Sequence, residues 1–167
     1  MGPAQPESQR PSPLGHGLTV EASLGYGWIR VDPDQGDSDS ESGRAGPNLG
    51  IGGWIAPTTA LTVRLAAVQY SDSSGSFTIG FFGGALQQWL SQAVWLGVGA
   101  GVGSATINLD GISGSFSESG LGLEARFGVV PFISGQFSVN LSVEANTAFL
   151  DAGRISGLGL LIGMQYL

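Results

Sequence analysis

The chain is poor in charged residues and has no lysine. Only 11% of its 167 residues are charged, and the net charge is −7, whereas about a quarter of an ordinary soluble domain is charged. A water-facing surface with so little charge would be poorly solvated and prone to associate. We therefore expect much of the outside of this protein not to meet water.

Cysteine and long apolar runs are also absent. The first absence excludes a disulfide framework and thiolate metal sites. The second excludes a transmembrane helix, which needs about 20 consecutive apolar residues. A closed β-barrel is the other structure that satisfies every backbone hydrogen bond in hydrocarbon. The sequence therefore favours an all-β barrel domain over residues 17–167.

Residues 1–16 are proline-rich and polar. They lack the basic start, apolar middle and small-residue cleavage site of a signal peptide. An exported protein needs such a signal, so we expect this chain to be a mature form restarted at Met1. Its composition predicts that this tail is disordered.

From Gly17 onward apolar and polar residues alternate with a period of two, which is the signature of β-strands. The alternation is regular over 18–28, 120–129, 137–146 and 157–166, and noisier over 47–57, 61–71, 76–90 and 94–109. These segments predict an eight-stranded antiparallel up-and-down transmembrane barrel. The apolar parity of the fifth segment changes near Gly103, which predicts a β-bulge there.

The connections between these segments alternate in kind. Tight turns at 56–60, 91–92 and 134–135 alternate with polar loops at 32–45, 72–75, 110–114 and 151–153. Short turns on one side and the longest polar loop on the other are the outer-membrane pattern, with both termini in the periplasm.

Aromatic residues fall near the ends of the predicted strands, as expected for two interfacial girdles. The predicted periplasmic girdle contains Trp54, Trp89, Trp95, Phe132, Phe137 and Tyr166. The predicted outer girdle contains Tyr26, Trp28, Tyr70, Phe77, Phe116 and Phe149.

Alternation alone leaves open which face points inward. A soluble barrel of the lipocalin type would bury its apolar face and expose glycine, serine and asparagine without lysine, which makes a poor solvated surface. We therefore place the apolar face toward lipid. The lumen of eight strands has room only for side chains, so we expect small residues to face large ones. The predicted contacts set Gly157, Gly159 and Gly163 of the eighth strand against Phe82, Leu86 and Gln88 of the fourth.

The whole pattern over 17–167 resembles the eight-stranded outer-membrane barrels of the OmpA and OmpX type. The most specific part is the C-terminus, Ile162-Gly163-Met164-Gln165-Tyr166-Leu167. It is similar to the family's terminal-strand signal for the barrel assembly machinery, except that the aromatic residue is penultimate. The resemblance implies a monomer in the outer membrane of a Gram-negative bacterium, in contact with lipid and lipopolysaccharide. Members of this family serve as anchors, adhesins or protective scaffolds, and a few are lipid-modifying enzymes.

Catalysis, nucleotide binding and nucleic-acid binding find little support. The one histidine, His16, precedes the first strand, so no serine nucleophile on the outer rim has a base beside it. The glycines from Gly97 to Gly103 lie at strict period two within a strand, unlike a phosphate-cradling turn before a helix. The chain is acidic and carries no basic cluster, which argues against nucleic acid. We expect no enzymatic activity and no cofactor.

The first outer loop is rich in carboxylates. Its acidic residues are Asp32, Asp34, Asp37, Asp39 and Glu41. Their spacing does not match an EF-hand, and a solvated loop is the simpler interpretation. The functional hypothesis is a Ca²⁺-bridged contact with lipopolysaccharide at the cell surface.

A second set of charges lies deep within the predicted strands. It comprises Glu21, Arg64, Glu124, Arg126 and Glu144, all on the polar parity. An arginine facing lipid at mid-depth costs about 2–4 kcal/mol, and a buried charge is tolerated only when it is paired. We therefore predict a salt-bridged cluster that plugs the lumen.

The sequence thus favours a non-catalytic integral barrel that acts as a surface scaffold, anchor or adhesion protein. Two other functions stay open: a narrow, porin-like pore for small solutes, and a soluble barrel that carries a ligand.

Overall fold

The computed structural model describes residues 16–33, 39–73, 75–109, 115–151 and 153–167. It is a closed antiparallel barrel in which each strand pairs with its neighbours in the chain and β1 pairs with β8. The strands are β1 (Leu18–Pro33), β2 (Asp39–Ala56), β3 (Thr59–Asp72), β4 (Gly75–Trp89), β5 (Val94–Leu109), β6 (Ser115–Ser134), β7 (Phe137–Leu150) and β8 (Gly153–Tyr166). The described residues contain no helix long and apolar enough to cross a membrane.

All eight predicted strands are present in the up-and-down order that the sequence indicated. Residues 1–15, where a disordered tail was expected, lie outside the described residues. The strands are longer than predicted at the end opposite the termini. Residues 39–45, expected in a loop, pair with 25–31 of β1. Their polar composition was misleading because a strand that continues beyond the bilayer needs no apolar face.

The predicted bulge at Gly103 is wrong. The pairings of β5 with β4 and β6 run through this residue without a register shift. Two of the shifts that do occur include a proline: one spans 46–48 of β2, with Pro47, and the other spans 130–131 of β6, with Pro131. Proline cannot donate a hydrogen bond to the ladder and is therefore placed where the ladder is interrupted. Ala105, which is apolar, faces the lumen and is 8% exposed. The change of apolar parity along β5 therefore reflects an apolar lumenal face beyond Gly103 and not a shift in register.

The outward face of the barrel carries a continuous apolar belt. Leu61, Val63 and Leu65 of β3 are each about half exposed, whereas Thr62 and Arg64 between them are 2% exposed. The same alternation holds along β6 and β8. An apolar surface of this extent far exceeds the few hundred Å² that a soluble monomer exposes. The belt therefore argues for a transmembrane barrel and against a soluble barrel that carries its ligand inside.

The girdle prediction is right for some aromatic residues and wrong for others. Phe132 and Phe137 point outward at one end of the barrel, and Tyr26, Trp28 and Phe149 point outward at the other. Trp89 and Trp95 are instead buried in the lumen, and Trp54 packs against them. Tyr70 and Phe77 pack against an apolar cluster inside the opposite end. Position at a strand end is not enough to place an aromatic residue at the interface, because the lumen also needs large side chains to fill it.

Candidate functional site

The lumen is the candidate site, and its side chains fill it in layers. The end that carries the chain termini is closed by an apolar cluster of Trp89, Trp95, Val130 and Leu167, with Trp54 against it. The rings of Trp54 and Trp89 lie 6.3 Å apart. Above them, Gln87 and Gln165 exchange amide hydrogen bonds of 2.9 and 3.2 Å across the barrel. Packed side chains therefore close the lumen at this end.

Arg64 is the centre of the charged layer. Its Nε donates a hydrogen bond of 2.9 Å to Glu124 Oε1, and its Nη2 donates one of 2.8 Å to Glu144 Oε2. Its Nη1 pairs with Glu21. The Arg64 side chain is 2% exposed, so all of these interactions are removed from water. One guanidinium therefore joins carboxylates from β1, β6 and β7.

Arg126 is held less completely. Its Nη1 donates a hydrogen bond of 2.8 Å to Glu21 Oε1. Its Nε lies 3.5 Å from Glu124 Oε2, which is close enough for an ion pair but does not form a hydrogen bond. The guanidinium also lies over the Trp95 ring, 5.1 Å from its centroid, which is a favourable cation–π arrangement. Arg126 therefore supports the layer that Arg64 connects.

Two asparagines that the sequence analysis missed belong to this layer. Asn48 Nδ2 donates to Glu144 Oε1 at 2.7 Å, and Asn146 Nδ2 donates to the same oxygen at 3.1 Å. Asn48 Oδ1 accepts the backbone N–H of Ala67 at 2.9 Å. Both asparagines lie on the lumenal parity of their strands, and this parity was the signal that could have identified them. The structure thus brings all five predicted charged residues together. It adds amide donors for Glu144, which pairs with one arginine where the other two carboxylates pair with two.

Glycines on the lumenal face leave the space that the charges occupy. A Cβ atom added to Gly50 would lie 2.6 Å from Glu21 Oε1, and one added to Gly97 would lie 3.0 Å from Arg126 Nε. A Cβ atom added to Gly128 would lie 2.2 Å from the Trp95 ring. The glycine repeat that begins at Gly97 therefore has a packing role in the lumen.

The contact predicted between β8 and β4 is wrong on one side. Gly157, Gly159 and Gly163 do face the lumen, but Phe82, Leu86 and Gln88 point outward. The lumenal residues of β4 have the other parity and include Ile79, Phe81, Ala85, Gln87 and Trp89. Both parities of this strand carry large apolar residues, so alternation could not choose between them. A small residue of β8 still faces a large residue of β4, because a Cβ atom added to Gly157 would lie 3.2 Å from Ile79.

Above the charges, the lumen is apolar. Its buried cluster consists of Ile29, Ala45, Val68, Ile79, Ala148 and Leu161. The sequence analysis assigned apolar residues to the lipid face and therefore did not anticipate this layer. Its members lie on the lumenal parity, where they pack together without polar partners.

The acidic residues of the first outer loop are only partly described. Asp34 and Asp37 lie outside the described residues, as does the side chain of Asp39. Asp32 accepts hydrogen bonds from Arg30 Nε at 2.8 Å and Arg154 Nη2 at 3.0 Å. Mainly the hydrogen bond from Arg30, and then the one from Arg154, hold the pKa of the exposed Asp32 carboxyl below 3.8. Within the described part of the chain, no group of three or more His, Cys, Asp or Glu side chains is arranged to hold a metal ion.

The fold, the outward belt and the filled lumen together define an eight-stranded transmembrane β-barrel of the outer-membrane type. Solved structures share this fold. Ail, the attachment invasion locus protein of Yersinia pestis, is 22% identical over 91% of this chain and 100% of its own, with a TM-score of 0.63. Neisserial surface protein A is 17% identical over 90% of this chain and 96% of its own, with a TM-score of 0.68. No protein-family model and no curated protein sequence matches the chain.

Proposed function

We propose that this protein is a non-catalytic barrel of the Gram-negative outer membrane that serves as a surface scaffold, anchor or adhesion protein. The observation that carries the proposal is the filled lumen. Tryptophans, a glutamine pair, five paired charges and an apolar cluster occupy successive layers. A lumen filled in this way favours a structural role over transport. The scaffold role is therefore preferred to the narrow pore.

The arrangement of groups also favours a role without catalysis. The charged layer holds carboxylates and guanidiniums, which are engaged with one another, and contains no nucleophile beside a base. His16 is exposed before β1, next to Gly17, whose carbonyl accepts a hydrogen bond from the Trp54 N–H at 3.0 Å, so it lies at the end of the barrel and outside this layer. Enzymatic activity would need a reactive group with a free approach for substrate, and neither the tryptophan end nor the charged layer offers one.

An adhesive role would use the outer strand ends, and their charge indicates the kind of partner. Ail has been seen with the heparin analogue sucrose octasulfate, a polyanion. In the present chain the outer strand ends carry the acids Asp32, Asp39, Glu41, Asp72, Glu118 and Asp151 against the bases Arg30, Arg44 and Arg154. Like charges at an interface are unfavourable. A cationic partner, or an anionic one bridged by Ca²⁺, suits this surface better than a sulfated glycan.

Calcium bridging to lipopolysaccharide remains a proposal for the first outer loop. The carboxylates from Asp32 to Glu41 would supply oxygen ligands, although Asp32 already pairs with two arginines. Calorimetric titration of the barrel in lipid with CaCl₂ tests it. Replacing Asp34 and Asp37 by Asn should weaken binding at least tenfold, and replacing Glu7 and Asp72 by Gln and Asn is the matched control. Equal binding by the two variants would contradict the proposal.

The topology makes the scaffold proposal testable in intact cells. Because the chain contains no cysteine, single cysteines report their own positions. A membrane-impermeant maleimide should label Ser73→Cys, between β3 and β4, on intact bacteria. It should label Thr58→Cys, in the turn between β2 and β3, only after the outer membrane is permeabilised. Labelling of Thr58→Cys on intact cells, or of neither site after permeabilisation, would contradict the proposed location and orientation.

Conductance separates the scaffold from the pore. Single-channel recordings of the purified barrel in planar bilayers should show no stable current step, because side chains fill the lumen in every described layer below the outer mouth. A porin recorded in the same bilayers shows that the assay detects conductance. A reproducible step from the folded barrel would make the pore the better function.

The last strand supports assembly by the machinery that inserts barrels. Ile162 and Met164 of β8 point outward and are 53% and 57% exposed, and Tyr166 follows on the same face. We propose that this stripe is the recognition signal and that the product is a monomer. Met164→Asp with Tyr166→Asp should reduce insertion in cells, whereas the same changes at Ile55 and Leu90, which are exposed apolar residues at or next to the ends of other strands at the same end of the barrel, should not. Unchanged insertion of the first variant would exclude the signal.

A further inference from the structure

The outer mouth of the lumen contains an apolar cup that the scaffold role does not require. The cavity has a volume of about 680 Å³, which lies within the roughly 300–1,000 Å³ typical of small-molecule sites. Its apolar lining includes Val31, Phe77, Ile107, Phe116, Leu150 and Ile155. Strands β1, β4, β5, β6, β7 and β8 all contribute to it. The cup is therefore built from most of the circumference of the barrel.

The apolar lining is unusual for its location. The interior of an outer-membrane barrel is ordinarily polar, and side chains at an open mouth meet water. Ile107 is 42% exposed and Phe116 is 66% exposed, although both lie on the lumenal parity and contribute to the cup. A concave, mainly apolar cavity with a few polar groups at its edge is the usual form of a small-molecule site. Lipid does not explain this apolar exposure, because these side chains face the axis of the barrel.

The floor of the cup is closed. Val31, Phe77, Leu150 and Ile155 pack against the buried apolar cluster of the lumen. That cluster is tight, since a Cβ atom at Gly27 would lie 2.6 Å from Val68 Cγ1. The charged layer around Arg64 lies below. A molecule that enters the cup is therefore held there and has no path through the barrel.

The walls direct access from the aqueous side. Strands β4 and β5 pair without a register shift up to Gly75 and Leu109, and strands β1 and β8 pair without one up to Pro33 and Gly153. The β6–β7 ladder ends at Leu121 and Phe149, and beyond it residues 115–120 of β6 pair only with β5. The gap that this leaves lies beyond Phe149, one of the outward aromatic residues at this end, so below that level the wall offers no lateral opening toward the bilayer. A free solute, rather than a membrane lipid, is the occupant that this geometry favours.

The rim charges set a further condition on the occupant. Asp32, Glu118 and Arg154 contribute to the lining. Asp32 and Arg154 form an ion pair of 3.0 Å, and Glu118 accepts the backbone N–H of Asp151 at 2.7 Å. Asp32 also pairs with Arg30 at 2.8 Å, so its charge is balanced within the protein. A charged head group in the cup would give up water for a mainly apolar lining, which is costly, so the site favours an uncharged occupant.

We propose that the outer mouth is a binding site for a small, uncharged, mainly apolar molecule that arrives from the aqueous side. The apolar lining supplies the affinity and disfavours charged head groups, and the closed floor retains the molecule. This inference goes beyond the scaffold function and does not depend on it, because binding is measured on the purified barrel.

The test uses methyl NMR of the barrel in lipid nanodiscs, with decan-1-ol as the probe. Methyl resonances of Ile107, Leu150 and Ile155 should shift saturably. Those of the lipid-facing Ile51 and Leu160 should change only in proportion to the alcohol dissolved in the bilayer. Decanoate, which has the same chain length and a negative head, should bind at least tenfold more weakly.

Variants distinguish the cup from the surrounding lipid. Ile107→Asn should weaken decan-1-ol binding at least tenfold, and because Ile107 is partly exposed the variant should still fold. Ile155→Asn provides a second site in the cup. Phe149→Asn, beside Leu150 but on the outer face, is the matched control and should leave binding unchanged.

Three results would overturn the proposal. One is the lack of saturation at the cup methyls. Another is equal affinity for decanoate, which would show that the lining does not discriminate against a charged head group. The third is contact between the cup methyls and lipid acyl chains before any probe is added, which would identify bilayer lipid as the occupant.

Discussion

Replacing Arg64 by Leu should be the most destabilising single change in the charged layer. This guanidinium contacts Glu21, Glu124 and Glu144. Without it, Glu144 keeps the amide donors of Asn48 and Asn146 but, among the described residues, no cation within ion-pair distance. Glu124 keeps Arg126 at 3.5 Å, without a hydrogen bond. A buried carboxylate would then lack its counter-charge.

Removing one partner of a buried ion pair costs about 3–5 kcal/mol, so we expect this loss in the free energy of unfolding of Arg64→Leu. Arg126→Leu should cost less, about 1.5–3 kcal/mol, because it removes one hydrogen bond to a charged group. Both carboxylates that pair with Arg126 keep Arg64. The order of the two variants follows from the contacts and is more informative than either value.

Reversible urea unfolding in lipid vesicles measures both losses. Arg44→Leu, at an exposed position, is the matched control and should change stability by less than about 0.5 kcal/mol. Adding Glu144→Gln to Arg64→Leu should restore part of the loss, because the neutral amide needs no counter-charge. Equal stability of Arg64→Leu and the parent, or a larger loss in Arg126→Leu, would refute the reasoning.

Three further predictions test packing, pH and orientation. Gly128→Ala should lower the free energy of unfolding by about 1–3 kcal/mol through overpacking, because the added Cβ would lie 2.2 Å from a tryptophan ring. Gly84→Ala, where an added Cβ has nothing within 4 Å, should cost far less. Equal losses for the two variants in urea unfolding would contradict this packing. In a ¹³C NMR titration the pKa of Asp32 should lie below 3.8, because Arg30 and Arg154 hydrogen-bond to its carboxylate. These two contacts should therefore persist as the pH falls to that value and be lost below it, and Arg30→Gln should raise the pKa of Asp32. A pKa of Asp32 above 3.8 in the parent would show that the contacts are absent in solution. Leu123→Arg on the lipid face should cost about 2–4 kcal/mol near mid-depth, and an unchanged unfolding midpoint would place that residue away from lipid.

The number and order of the strands could be predicted because lipid imposes a strict rule on one face. Wherever one parity is wholly apolar and the other is glycine or polar, as in residues 121–129, the sequence identifies the lipid face. The rule fails in β4, where Phe81 and Phe82 are adjacent and only one can face the lumen. It also fails at Trp95, since a large apolar side chain satisfies either lipid or a lumen that must be filled.

The members of the charged layer could be predicted from parity, but their partners could not. Glu21 and Arg126 are far apart in the chain and meet because the barrel closes. The register that sets their relative heights depends on the interruptions near Pro47 and Pro131, and the sequence analysis placed its one bulge elsewhere. The apolar cup was missed for a related reason, because Ile107 and Ile155 look like lipid-facing residues until the parity of their strands is fixed by pairing.

The central claim is that one face of each strand meets lipid while the other faces a filled lumen. Site-directed spin labelling along β6 tests it most directly, since the native chain has no cysteine to remove. Single cysteines from 121 to 130 are labelled one at a time in lipid vesicles, and collision rates with oxygen and with a water-soluble nickel chelate are measured. We predict high oxygen and low nickel accessibility at odd positions, and low accessibility to both reagents at even positions. High nickel accessibility at the even positions would show a water-filled lumen, and high nickel accessibility at the odd positions would show that the apolar belt is not in the membrane.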